Sequence, residues 1–393
     1  YKSHKIYPGK YRLPGLPAMF WKEEEGDSLE ITMEDPVTGV QVVLYYGVLE
    51  KGDVITRSVR VMNGGQTPVE LKKAMSLCLD MNHNQLDFIH FYGRHTMERQ
   101  MERGPLHHGK QSIGSLRGIS SHHHNPFVIL CDRQATEERG DCYGMMFLYS
   151  GNFLAEVEVD QIHQTRAIMG IHPEQFSFRL EPGEDLALPA VAMIYTHKGL
   201  SCLSLKFHDA IRQHIMRGEW AHKRRPILIN NWEATYFDFN GQKLVDIARD
   251  AKELGIEMLV MDDGWFGKRD SDNSGLGDWV VNEDKLGCTL KELVTQVNSL
   301  GLKFGMWFEP EMICEDSNLY RAHPDWMMRV PGRAGNIARE QFVLDYTRKE
   351  VRDYIEQAMS RILDSANIEY IKWDMNRSMC NVFSAALPAE RQG

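Results

Sequence analysis

Apolar and polar positions alternate in short runs through the first half of the chain. Segments 29–34, 40–50, 54–62, 69–79, 143–149 and 154–161 are rich in β-branched and aromatic residues, and turn signals such as Thr38-Gly39 and Asn63-Gly64-Gly65 separate them. Successive side chains on a strand point to opposite faces, so this alternation predicts half-buried strands. Many such strands without helices between them predict a β-sandwich over residues 1–198. At 199–217 the period changes: Leu203, Phe207, Ile211 and Ile215 recur every four residues, the spacing of one helix face. The basic run Lys223-Arg224-Arg225-Pro226 reads as a solvated hinge, so residues 199–225 are expected to form a helical linker.

From residue 226 the pattern becomes strand, helix, strand. Segments 227–232, 258–261, 303–308 and 370–374 read as strands. Leu244, Ile247, Ala248, Ala251 and Leu254 form the apolar stripe of a helix ending at Gly255, and 290–300 forms another ending at Gly301. A third helix covers 349–365, with Val351, Ile355, Ala358, Met359 and Ile362 in register. Strand–helix alternation calls for a parallel sheet, either doubly wound or closed into a barrel.

The polar residues favour the barrel. Each of these strands ends in an aromatic–carboxylate cluster: Trp232-Glu233, Asp262-Asp263-Gly264-Trp265, Trp307-Phe308-Glu309-Pro310-Glu311 and Trp373-Asp374. Barrel active sites are assembled from the carboxyl ends of several strands. No glycine-rich phosphate loop follows the first strand, as a nucleotide-binding sheet would require. Rings beside carboxylates suit a sugar, which offers C–H faces to one and hydroxyls to the other. On the last strand, Lys372, Asp374 and Asn376 share one face, where three buried polar groups need partners that a ligand could supply. The lysine, by Coulomb attraction, would favour an ionised aspartate; a structural salt bridge is the plainer alternative.

Composition narrows the classes. The 393 residues exceed one average domain, and 42% hydrophobic with 25% charged residues fit a globular protein. A net charge of −10 argues against a nucleic-acid partner, and no run approaches the roughly 18 apolar residues of a membrane span. Seven cysteines, odd in number and without C-x-x-C spacing, point to a reducing, cytoplasmic setting with neither a disulfide framework nor a zinc site. His122-His123-His124 alternates in direction and makes a poor metal site. The acid-rich loop 270–278 lacks calcium-loop spacing, so no metal or cofactor is expected. The chain starts at Tyr1 and its last residues form no closing element, so both ends read as cut.

Several segments resemble glycoside hydrolase family 36, the bacterial and fungal α-galactosidases. They are 231–237 (Asn-Trp-Glu-Ala-Thr-Tyr-Phe), 259–267 around Asp262-Asp263-Gly264-Trp265, 306–312 around Glu309-Pro310-Glu311, and 370–377 (Tyr-Ile-Lys-Trp-Asp-Met-Asn-Arg). Residues 120–126 and 151–158 resemble the family's amino-terminal sandwich. The resemblance covers nearly the whole chain. It implies a β-sandwich followed by a (β/α)8 barrel, of which these residues supply the first half over 226–393. It implies retaining hydrolysis of terminal α-linked galactose in melibiose- or raffinose-type oligosaccharides, and a homo-oligomer, frequently a tetramer. Galactosyl transfer, as in raffinose and stachyose synthases, and a non-catalytic sugar-binding role are the alternatives.

The resemblance also implies roles. Asp374 is the nucleophile. Asp262 and Asp263 grip the C4 and C6 hydroxyls, Lys372 and Asn376 the far side of the ring with Arg339 nearby, and Trp232 and Trp307 line the galactose subsite. Segment 341–345 then belongs to an excursion carrying Arg339. Retaining hydrolysis needs a second carboxyl group about 5–5.5 Å from the first. The family's acid/base aspartate lies on the sixth strand and has no counterpart here. Glu309 and Glu311 are the nearest substitutes, and the family pattern makes them supporting residues.

Overall fold

The computed structural model describes residues 1–392, which divide into two compact units, Tyr1–Lys223 and Arg224–Gln392. The division falls inside the basic run expected to be the hinge.

The first unit is built on β-sheets. A ten-stranded antiparallel sheet runs in the order Ser3–Pro8, Gly26–Glu34, Val40–Leu49, Val54–Asn63, Val191–Thr196, Cys142–Phe147, His124–Asp132, Leu86–Arg94 and Met97–Pro105, with Asp185–Ala187 also paired to Val54–Asn63. A four-stranded sheet packs on it, in the order Met75–Met81, Thr165–Ile171, Phe153–Val159 and Gly109–Ser115. Alternation works on both faces of the large sheet. Phe88, Leu130, Met145 and Phe147 meet Leu77, Phe153, Ala155 and Val157 of the small sheet. The intervening residues Ile89, Ile129, Cys131 and Ile194 point the other way and pack against Leu203, Phe207 and Ala210.

Those last three residues lie on the helix Gly199–His214. The segment expected to be a linker is therefore a packed layer of the first unit, because its apolar stripe matches the outer face of the sheet. Gly144 permits the close approach: a Cβ there would stand 2.4 Å from Phe207 Cε2. Gly144→Ala is expected to cost about 1–3 kcal/mol through overpacking, read as a lower melting temperature of the first unit. Segment 69–79 also differs from expectation. It breaks into Val69–Leu71, paired with Phe178–Leu180, and Met75–Met81, which joins the four-stranded sheet.

The second unit holds a parallel sheet in the order Leu228–Asn230, Met258–Met261, Lys303–Phe308 and Tyr370–Trp373, which is also the order in the chain. Helices Gly241–Glu253, Leu290–Ser299 and Lys349–Leu363 pack on the face carrying Leu259, Met261, Phe304, Met306 and Phe308. The Asn240 side chain caps the first helix by accepting from Lys243 N (2.9 Å), and Thr289 with Glu292 forms a capping box at the second. Gly255 and Gly301, with φ near +82° and +80°, follow these two helices, a conformation that favours glycine. The two middle strands are buried almost throughout, whereas Leu228, Tyr370 and Trp373 on the outer strands are exposed. Phe342–Val343 pairs with Met312–Ile313 in a separate two-stranded sheet, so segment 341–345 stands outside the parallel sheet. No helix among the described residues is long and apolar enough to cross a membrane, and all seven cysteines are free.

Candidate active site

Parallel register sets the site. Met261 pairs with Met306, and Trp307 pairs with Lys372, so the residues just beyond these positions converge at the carboxyl end of the sheet. Asp262, Trp307, Glu309, Lys372, Asp374 and Asn376 meet there.

Asp374 follows the last strand and is half-buried, and its backbone N–H donates to Phe308 O (2.8 Å). Its carboxylate receives three donors. Trp307 Nε1 (2.9 Å) and Asn376 Nδ2 (2.8 Å) both donate to Oδ2, and the Met375 N–H donates to Oδ1 (3.0 Å). Each carboxylate oxygen has about two lone-pair sites, so Oδ2 is filled while Oδ1 keeps one free. Such a group is held in place and retains an open nucleophilic face.

Lys372 does not pair with Asp374. Its ammonium donates to Asp262 Oδ2 at 2.7 Å, across the intervening strand. Asp262 is 2% exposed, and the Asn230 side chain donates to the same oxygen. Asn231 Oδ1 accepts from the Asp262 N–H (2.8 Å) and fixes the start of the loop.

Asp263 is held by a residue that spacing did not suggest. Arg269, 1% exposed, donates from Nε (3.0 and 3.2 Å) and Nη2 (2.8 Å) to both Asp263 oxygens, and from Nη1 to the carbonyls of Asp272 and Ser274. Burial pushes the Asp263 carboxyl above its ordinary range, and the guanidinium offsets part of that push. Gly264, at φ +106°, makes the turn between them, and a Cβ there would meet Phe237 at 3.0 Å. Phe237 lies under the Arg269 guanidinium (5.6 Å) and against the edge of half-buried Trp232 (5.0 Å, 89°).

The tryptophans divide by role. Trp307 is 1% exposed, packs with Phe266 and Trp279, and presents its N–H to Asp374. Trp265 is likewise core, its Nε1 donating to Trp307 O (3.0 Å). Trp373 is 55% exposed and donates to Glu311 (2.9 and 3.1 Å). Trp232 remains as an accessible aromatic wall.

Arg339 makes no hydrogen bond to the residues of the cluster. It is exposed and has no ion pair among the described residues. With Glu340 it forms the tip of a two-residue turn, both at positive φ (56° and 57°), closed by Ala338 and Gln341. Gln341, by contrast, reaches inward and donates to Glu309 Oε2 (3.0 Å). Glu309 also accepts from the Asn376 N–H (2.6 Å) and Nδ2 (3.2 Å). In the acid-rich loop, Asp278 accepts from the N–H groups of Asn318 and Leu319 (both 2.8 Å), a helix-capping task.

Residues 1–181 match the glycosyl hydrolase family 36 N-terminal domain, and residues 186–393 match the family described as melibiase. The chain is 53% identical to the bifunctional alpha-galactosidase/sucrose kinase AgaSK of Mediterraneibacter gnavus, over 98% of this chain and 41% of that protein. It is 51% identical to alpha-galactosidase AgaA of Geobacillus stearothermophilus, over 100% of this chain and 54% of that one. The crystal structure of AgaA superposes with a TM-score of 0.98, covering 100% of this chain and 55% of the other. Variants of AgaA have been solved in complex with stachyose and with raffinose. The chain thus spans about half the length of the curated relatives it matches.

Proposed function

Because the chain belongs to glycoside hydrolase family 36, we propose that it carries the nucleophile and most of the galactose pocket of a retaining α-galactosidase acting on raffinose- and melibiose-type oligosaccharides. The observation that carries this reading is the Asp374 carboxylate, fixed by three N–H donors with one lone pair of Oδ1 left open. Its neighbours suit a sugar rather than a metal or a phosphate. Asp262 with Lys372 and Asp263 with Arg269 give ordered acceptors for the C4 and C6 hydroxyls, and the outward-facing atoms of Lys372 and Asn376 serve C2 and C3.

The parallel sheet is, on this reading, the first half of a (β/α)8 barrel. Strand order equal to chain order, with all three long helices on one face, supports a barrel over a doubly wound sheet, whose order reverses and whose helices cover both faces. The exposed outer strands leave two edges for further strands to pair. Assembly into a homo-oligomer rests on the family resemblance and is read by light scattering.

In the first step Asp374 Oδ1 attacks the anomeric carbon, the glycosidic C–O bond breaks, and a general acid protonates the departing oxygen. In the second step the same group, now a base, deprotonates water, which displaces Asp374 and releases α-galactose. We assign that acid/base outside the described residues. Glu309 is 0% exposed with both oxygens occupied, and Glu311 holds Trp373, so neither faces a leaving group.

The test is the complete gene product on melibiose and raffinose against maltose, with the anomer of released galactose followed by NMR. A site built to hydrogen-bond the axial C4 hydroxyl should favour melibiose by about 10^4 in kcat/KM, and α-galactose should appear first. Comparable efficiency on maltose would overturn the reading.

A further inference from the structure

Glu309 stands beside the proposed nucleophile and takes no part in the two steps above. It is 0% exposed and makes no ion pair among the described residues. Its partners are three N–H donors: the backbone of Asn376 on Oε1 (2.6 Å), and Asn376 Nδ2 (3.2 Å) with Gln341 Nε2 (3.0 Å) on Oε2. A carboxylate buried without a cation is expensive, so its place calls for a reason.

The reason lies in the amide of Asn376. That nitrogen carries two hydrogens, and both are committed, one to Glu309 and one to Asp374 Oδ2 (2.8 Å). An asparagine side chain can turn over, exchanging donor and acceptor ends. Two carboxylates on the same side accept only, so a single orientation satisfies both. In it, Asn376 Nδ2 faces both carboxylates, which leaves Oδ1 free of them as an acceptor.

We propose that Glu309 is a positioning residue: it locks the Asn376 amide, and through it sets the direction of Asp374 and the acceptor offered to a sugar hydroxyl. This rests on the reading of Asp374 as nucleophile. The surroundings also make the lock sensitive to pH. Burial and the nearby charge of Asp374 push Glu309 up to about 7, against the opposing pull of its Asn376 and Gln341 bonds. The Arg377 guanidinium nearby is bonded to the carbonyls of Asn336 and Gln341 (2.7 and 2.6 Å). The Cys314 thiol, pushed up by burial to about 11, is uncharged near neutrality. Gln341 Oε1 is buried without a partner, so a turned Gln341 accepts a hydrogen bond from the O–H of protonated Glu309. Once protonated, Glu309 becomes a donor at one oxygen and the constraint on Asn376 relaxes. The folded pKa lies above the ordinary carboxylate value, so the folded state binds the extra proton. Glu309 therefore lowers stability as pH rises from about 4.5 to about 7.

A double-mutant cycle in the complete gene product tests the lock. Glu309→Gln should lower kcat/KM on 4-nitrophenyl α-galactoside about 100-fold, but by less than about 3-fold when Asn376 is already alanine. The loss should be the same on melibiose and on a dinitrophenyl galactoside, and the acid limb near pH 7 should vanish. Equal losses in both backgrounds, or a loss confined to melibiose as for a general acid, would overturn the proposal. A second readout needs no turnover. In protein carrying 15N-tryptophan, the Trp307 indole N–H signal should titrate near pH 7 in the parent and stay constant in Glu309→Gln. A Trp307 signal that does not titrate in the parent would sink the lock. Absence of α-galactoside hydrolysis with a titrating signal would sink the proposed function and leave the lock standing.

Discussion

Asp374→Ala in the complete gene product should lose at least about 10^4 in kcat on every α-galactoside while galactose still binds weakly. The loss is large because the substitution removes the bond-forming atom, and the neighbouring carboxylates are held by other partners. Asp262 and Asp263 are engaged by Lys372 and Arg269, and Glu309 by Asn376 and Gln341. The fold should survive, since the chief damage is one buried indole N–H, that of Trp307, left without its acceptor, worth about 1–3 kcal/mol. A small anion such as azide can enter the vacated volume. With an aryl galactoside of good leaving ability it should restore turnover and give β-galactosyl azide, because attack then comes from the face Asp374 leaves. Retained activity above one per cent of the parent would remove Asp374 from the mechanism.

Arg269→Met should have the largest effect on stability. The guanidinium and the Asp263 carboxylate are 1% and 5% exposed, and removing one partner leaves the other a buried, unpaired charge. Such a change costs about 3–5 kcal/mol, which for a unit of this size corresponds to roughly 6–20 °C in melting temperature. Two backbone carbonyls, of Asp272 and Ser274, also lose their donor. With the guanidinium gone, burial and the neighbouring charges of Asp262 and Asp272 push the Asp263 carboxyl up unopposed, so its folded pKa rises further. A raised folded pKa means stability that is present at low pH and lost as pH rises, so the deficit should be smaller at pH 5 than at pH 8. Differential scanning calorimetry at both pH values reads this. A melting temperature within 1 °C of the parent at pH 8 would contradict the account of the pair.

What the sequence disclosed about this site follows from which interactions are local. Strands Met258–Met261 and Lys303–Phe308, and the helix ends before Gly255 and Gly301, coincide with the expected positions, because apolar runs and glycine stops act over a few residues. The last strand, expected to reach residue 374, ends at Trp373, so Asp374 and Asn376 lie beyond it and meet through the Asn376 amide rather than as strand neighbours of Lys372. Period two could not say that Lys372 answers Asp262, since that pairing depends on the sheet register between strands more than a hundred residues apart. Arg269 was missed because a loop, not a strand or helix, brings it to Asp263. Trp307 was expected to line the galactose subsite; it reaches the site through its indole N–H while its ring packs with Phe266 and Trp279, a packing result invisible in spacing. Arg339 sits at an exposed turn tip, and the inward-facing residue of that turn is Gln341. The helix Gly199–His214 carried a plain apolar stripe, and only the outer face of the sheet revealed where the stripe belongs.

The central claim is that Asp374 forms the covalent bond to galactose. Incubation of the complete gene product with a galactoside slowed by ring fluorination and activated by a good leaving group should accumulate a galactosyl ester. Proteolysis and tandem mass spectrometry should then place the fluorogalactosyl mass on Asp374, at one label per chain. A label on Glu309, Glu311 or any other residue would contradict the account.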